Sequence, residues 1–288
     1  MKPVIEIQNL EKNYPTFHLK PLDLTVPAGC IMGLVGENGA GKTTLIRLIL
    51  NLVSRDGGTI QVFGKDNVMY DRLIKEDVGV VLDESFFSEY MTPLQISKIM
   101  AKFYRNWDEP FFIQHLEKFQ LPKDQLMKTF SRGMKMKLQI ATALAHHPKL
   151  LLLDEPTSGL DPIVRNEILD IFLDFIQDDT KSILLSTHIT SDLEHIADYI
   201  TFIQDGEIIL GETRDAILDQ YGIMKCSIAV FEQLDRSDIV RYQKRKYDCV
   251  VLVRDRLACK KKYQKKEVVV ERATIEEIML LYSKGEVK

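Results

Sequence analysis

The sequence predicts an α/β fold: a mostly parallel core sheet, an antiparallel β subdomain, a helical subdomain and a small C-terminal α/β tail. Three observations carry that prediction. "CIMGLVGENGAGKTTLIRLILNL" runs from a buried strand (Ile31, Met32, Leu34, Val35) through a glycine-rich loop into apolar residues at helical spacing (Leu45, Leu48, Ile49, Leu52). "LLLLDEP" and "SILLSTH" are short apolar runs, as expected of central strands covered on both faces. A helical stretch from about Val164 to Gln177 separates them, and strands alternating with helices imply a parallel, doubly wound sheet.

The remaining elements follow in order. "VIEIQNL" alternates apolar and polar residues, and "TIQVFG" does so again after the turn "RDGG". From about 86 to 146 the period changes. "MTPLQISKIMAKFYRNW", "PFFIQHLEKFQ" and "RGMKMKLQIATALAHH" carry apolar residues three and four apart, with Pro93, Pro110 and Pro122 where helices start or break. "HITSDLEHIADYITFI" reads as a helix running into a strand, and "DGEIILGE" as a hairpin turning at Gly206. Beyond about Tyr221, "CSIAVF", "CVVLV" and "EVVVE" are strand-like and "TIEEIMLLY" is a terminal helix. The expected domains are therefore 1–220, with the helical subdomain at about 86–146, and a small accessory domain at 221–288.

Composition excludes some classes. At 288 residues, 45% hydrophobic and 28% charged, the chain is an ordinary globular one. Its apolar runs are only a few residues long, whereas a membrane helix needs roughly 20, and no secretory leader is expected at "MKPVIEIQNL". The four cysteines form no CxxC pair and lack metal-ligand spacing, so they are expected reduced and mostly buried. The net charge of −4 conceals a gradient: residues 221–288 hold 16 Lys and Arg against 10 Asp and Glu. The cluster "KKKYQKK" reads as a solvated basic face, with an anionic partner as the other possibility.

Three motifs carry chemistry. Gly36, Glu37, Asn38, Gly39, Ala40, Gly41, Lys42, Thr43 and Thr44 satisfy G-x-x-x-x-G-K-[ST] between a strand and a helix, the P-loop arrangement. Glycines let backbone N–H groups turn toward phosphate oxygens, and the helix N-terminus adds partial positive charge. Lys42 is then expected to reach the β- and γ-phosphates, and the Thr43 hydroxyl to ligate Mg²⁺. At the end of "LLLLDEP", Asp154 suits the metal shell, and Glu155 is placed to orient or deprotonate a water. Thr187-His188 ends a further strand on the edge where open α/β sheets bind ligands.

The order "GENGAGKTT", "FSRGM", "LLLLDEPTSGLD", "STH" resembles the ATP-binding cassette ATPases, over about residues 3–215. The resemblance implies ATP and Mg²⁺ as cofactors, bound between two cassettes facing head to tail. It also implies an integral membrane permease as partner, with the chain peripheral at the cytoplasmic face of the membrane; nucleic acid is not expected. Glu155 matches the general base and His188 the switch histidine. Ser131, Arg132 and Gly133 match the signature loop that closes over the partner's ATP. Gly159 and Asp161 match a loop crossing the dimer interface, and Tyr14 in "LEKNYP" matches an aromatic stacked on adenine. Phe86, Phe87 and Tyr90 are candidates for a permease socket within the segment 85–92. "SRGM" resembles a subgroup of bacterial exporter ATPases; the alternative is a non-transport cassette ATPase acting on nucleic acid or the ribosome.

Two positions depart from the common family form. The signature reads Phe130-Ser131-Arg132-Gly133-Met134 where Leu-Ser-Gly-Gly-Gln is usual. "VGVVLDESFF" puts Asp83, or else Glu84, where a Mg²⁺-touching glutamine is usual. A carboxylate there is a hard metal ligand. It also adds negative charge beside a polyphosphate, so ATP binding is expected to depend steeply on Mg²⁺.

Overall fold

A computed structural model describes residues 2–83, 86–264, 266 and 268–286. The alternative site residue Glu84 lies outside the described residues. The first half of the chain runs β1 (Ile5–Tyr14), β2 (Phe17–Val26), β3 (Ile31–Val35), α1 (Lys42–Ile49), β4 (Gly57–Val62), β5 (Lys65–Asp66), α2 (Asp71–Glu76) and β6 (Val78–Val81). It continues through α3 (Pro93–Phe103), α4 (Glu109–Lys118), α5 (Arg132–Leu144), β7 (Leu150–Asp154), α6 (Pro162–Phe175) and β8 (Ser182–Thr187). Then come α7 (Thr190–Ile196), β9 (Tyr199–Gln204), β10 (Glu207–Thr213), α8 (Arg214–Gln220), β11 (Gly222–Ser227) and α9 (Ile228–Phe231). The last elements are β12 (Ile239–Lys244), β13 (Asp248–Val253), α10 (Arg256–Lys262), β14 (Val268–Arg272) and α11 (Ile275–Lys284).

These elements form two compact units, Met1–Ile189 with Ile203–Ile209, and Thr190–Phe202 with Leu210–Lys288. In the first unit, β2-β1-β4-β5 is an antiparallel sheet. The second sheet has the order β10-β9-β3-β8-β7-β6, its β9–β10 turn, Ile203–Ile209, belonging to this unit. The four strands β3, β8, β7 and β6 are parallel. All five residues of β3 and all five of β7 are buried, which is why β7 reads as four leucines in a row before Asp154.

The helical region is built as its punctuation predicts. Thr92 and Gln95 form a capping box, with Pro93 in the first turn of α3. Asp108 caps α4 beside Pro110. Helix α6 begins two residues before the expected Val164, because Asp161 caps it and Pro162 suits a first turn. His146 lies under this region, 2% exposed and stacked on Tyr104 with ring centroids 3.9 Å apart.

In the second unit, β12-β13-β11-β14 is antiparallel throughout. Met224, Phe231, Cys249, Val251, Cys259 and Tyr263 lie in its core. All four cysteines of the chain are buried thiols, and burial pushes those of Cys249 and Cys259 up to about 11. One expectation is corrected here. "CSIAVF" is not one strand: Ser227 accepts a hydrogen bond from Val230 N and starts a helical turn, which buries Phe231. Thr190–Phe202 joins the tail, where Ile275 N donates to Glu194 Oε1 (2.8 Å) and Arg214 N to Asp198 O (2.9 Å). The basic cluster is partly engaged, Lys262 bridging Asp235 and Asp238 at 2.8 Å each and Lys266 donating to Gln233 O.

Candidate functional site

Strand register brings the chemistry to one edge. Val35 pairs with Thr187, Asp154 with Ser186, and Val81 with Leu153. The residues that follow these strands therefore leave the sheet at the same carboxyl edge.

The glycine-rich loop grows out of β3. A Cβ on Gly36 would lie 2.2 Å from the Ile203 carbonyl oxygen, so no larger residue fits. Glu37, Asn38 and Gly39 are exposed, Ala40 and Gly41 are buried, and Thr43 and Thr44 are half-buried in the first turn of α1. Lys42 is only 5% exposed. Its Nζ donates to the Gly36 and Glu37 carbonyls (2.8 and 3.2 Å) and lies 3.3 Å from Glu155 Oε1. A buried ammonium needs such partners, and the loop supplies them with its own backbone.

Glu155 connects two sides of the site. Its backbone has φ +52°, and its N–H donates to Ser186 O (3.0 Å). Oε2 lies 2.7 Å from His188 Nδ1 and accepts from the His188 backbone N–H (3.3 Å). With the carboxylate ionised, Nδ1 carries the proton in that bond. Oε1 is buried without a hydrogen-bond partner among the described residues; its contact with Lys42 is an ion pair, not a directed bond. Asp154, 3% exposed, accepts from the Ser186 hydroxyl at 2.5 Å.

A second cluster forms around the start of α5. Ser131 caps that helix, accepting from Met134 N (3.2 Å). A Cβ on Gly133 would meet Val164 Cγ1 at 3.2 Å. Asp161 caps α6, accepting from Ile163 and Val164 N–H groups at 3.1 Å each. Ser131, Arg132, Gly133, Gly159 and Asp161 line one cavity of about 260 Å³. Asp83, expected at the metal, has its Oδ1 2.8 Å from Arg132 Nη2.

Tyr14 is exposed at the end of β1, with Lys12 Nζ 5.4 Å from its ring centroid. Sequence reasoning missed two residues. Phe17 packs against the glycine-rich loop, a Cβ on Gly41 lying 3.0 Å from its ring. It follows Tyr14 across the β1–β2 turn, and that proximity was the available signal. Ser186, the hydroxyl on Asp154, sits inside an apolar run and carried no signal.

Comparisons with known proteins point to one family. A family described as "ABC transporter" matches residues 19–158. The bacitracin transport ATP-binding protein of Enterococcus faecalis is 35% identical over 73% of this chain and 69% of its own length. The lantibiotic transport ATP-binding protein of Streptococcus pyogenes is 35% identical over 74% and 92%. The daunorubicin/doxorubicin resistance ATP-binding protein of Streptomyces peucetius is 32% identical over 82% and 73%. Among solved structures, the ATP-binding subunit of an ABC transporter superposes with a TM-score of 0.68, at 26% identity, over 74% of this chain and 91% of that one. A cassette in a post-hydrolysis state with ADP and Pi, at 21% identity, shares the fold with a TM-score of 0.66 over 73% and 98%.

Proposed function

Because the chain belongs to the ATP-binding cassette (ABC) transporter family, we propose that it is the ATP-binding and ATP-hydrolysing subunit of an exporter, working on a separate membrane permease. One observation carries the reading: Lys42, Glu155 and His188 are in continuous contact at the carboxyl edge of the sheet, beside the glycine-rich loop. Gly36 to Thr44 wraps the phosphates with backbone N–H groups, and Lys42 adds the charge that phosphoryl transfer requires. Glu155 takes the proton of the attacking water through Oε1, the oxygen beside Lys42 that has no hydrogen-bond partner among the described residues. His188 holds the same carboxylate through Oε2.

The residues present fit Mg²⁺. Asp154 and the Thr43 hydroxyl offer hard oxygen donors on adjoining elements. When bound, the ion offsets phosphate charge. Asp83 is read as the partner of Arg132 instead.

The cavity rimmed by Ser131, Arg132, Gly133 and Asp161 supports a dimer in which each copy completes the other's site. A groove of about 620 Å³ beside Arg72, Met100 and Phe103 supports docking of a permease. So do Phe86 and Tyr90, 72% and 74% exposed. No helix among the described residues is long and apolar enough to cross a membrane, which suits a peripheral subunit. Relatives named for bacitracin transport, lantibiotic transport and drug resistance support an exporter of peptide or antibiotic substrates.

Affinity purification of the full chain from detergent-solubilised membranes tests this reading. Recovery with an integral membrane permease, together with phosphate release from ATP, is the expected outcome. Recovery with ribosomes or nucleic acid, and no permease, overturns it.

A further inference from the structure

Two positions where the sequence departs from the common family form turn out to be partners. Asp83 lies two residues past the end of β6, and Arg132 opens α5. They are 49 residues apart in sequence, and Nη2 of the guanidinium is 2.8 Å from Oδ1 of the carboxylate. The other edge of the guanidinium lies over Gly159. A Cβ there would be 2.7 Å from Nη1 and 3.1 Å from Cζ, and Gly159 has φ +66°. The end of β6, the signature turn and the loop leading to Asp161 thus converge on one planar group. A guanidinium suits this role because its rigid fork can meet a carboxylate with one nitrogen while another lies beside the Gly159 backbone.

Both side chains are about half-exposed, 52% for Arg132 and 50% for Asp83. Coulomb attraction between such groups is weak. The pair matters for where it holds things. Arg132 sits between Ser131, which caps α5, and Gly133, which packs on Val164 of α6. Fixing its guanidinium therefore fixes the orientation of the whole turn.

We propose that Asp83 is a positioning residue: by holding Arg132 against Gly159 it orients the Ser131–Gly133 turn and the Gly159–Asp161 segment for the nucleotide of a second copy of this chain. The proposal rests on the cassette reading above. It also accounts for an acid near a polyphosphate site. Asp83 adds no uncompensated charge, because Arg132 neutralises it within the same chain.

The test uses the full chain carrying Glu155→Gln and measures ATP- and Mg²⁺-driven dimerisation by light scattering across ATP concentrations. Asp83→Arg and Arg132→Asp are compared singly and together, with Asp83→Asn and Arg132→Lys as milder variants and thermal unfolding as the check on folding. Each charge reversal is expected to raise the half-maximal ATP concentration about three- to five-fold, the size of an exposed ion pair. The double reversal is expected to return within about two-fold of the parent, because a direct pair is non-additive. Arg132→Lys is expected to fall between, keeping the charge without the fork. Losses that simply add, or no loss in any variant, overturn the positioning role while leaving the cassette reading intact. Absence of a dimer in the Glu155→Gln parent itself overturns the cassette reading and the proposal together.

Discussion

Two clusters in the same compact unit rest on different physics. Lys42 and Asp154 are buried and Glu155 is mostly so, and parallel strands hold them at one edge in fixed register. Around Arg132 the side chains are half-exposed, and an exposed ion pair ties the ends of the segments together. Stranding a buried charge costs several kcal/mol, whereas breaking an exposed pair costs roughly 0–1 kcal/mol. The first cluster should therefore fail abruptly when altered, and the second only by degrees.

The largest effect expected is for Glu155→Gln. Removing a general base lowers turnover by about 10²- to 10⁴-fold, read as phosphate release, while ATP-bound dimers accumulate. Unchanged turnover would remove Glu155 from that role and erase the contrast between the clusters. Lys42→Ala comes next. It deletes a buried cation that faces both the loop carbonyls and Glu155. A charge-assisted bond is worth about 1.5–3 kcal/mol, so calorimetry should show ATP affinity falling about 10- to 100-fold.

Acid titration sharpens the comparison from outside both clusters, because His146 is buried as deeply as Lys42. Desolvation lowers its pKa to about 4 in the folded protein, despite the 3.2 Å contact of Nε2 with Val78 O. The unfolded chain binds that proton near pH 6.5. Between those values the unfolded state holds more protons, so the contribution is complete above pH 6.5 and is lost as pH falls toward 4. The loss is about 3 kcal/mol over the whole interval and about 2 kcal/mol by pH 5. Denaturant melts at pH 7.5 and pH 5 should show it, and His146→Phe, which keeps a ring against Tyr104, should flatten the acid limb. The smallest effect belongs to the exposed cluster. Gly159→Ala places a Cβ at φ +66° and against Arg132 Nη1. The conformational cost is about 1–2 kcal/mol, a drop of a few degrees in unfolding temperature. A much larger drop would show that this cluster is more rigid than its exposure implies.

The same contrast explains what could be read in advance. Asp154 and Glu155 end an apolar run that only a buried strand can accommodate, so burial and position followed from local pattern. Ser186 was not legible, because a serine within an apolar run is ordinary until its neighbours are known; Phe17 offered only its place across the turn from Tyr14. The helical turn of Ile228–Phe231 hid inside a strand-like run; the cap from Ser227 outweighed β propensity over four residues.

By itself the sequence determined the fold class, the glycine-rich loop and the residues at the strand ends. Each of those depends on spacing along the chain and on the side chain's own polarity. The tertiary structure decided which acid faces which cation. Asp83 and Arg132 lie 49 residues apart, and both are charged surface residues with many possible partners. Only the packing of α5 and the Gly159 loop beside the end of β6 selects one. It likewise drew Thr190–Phe202 into the unit that holds the tail, through contacts with residues distant in sequence. Such contacts leave no periodic trace in the residues that make them.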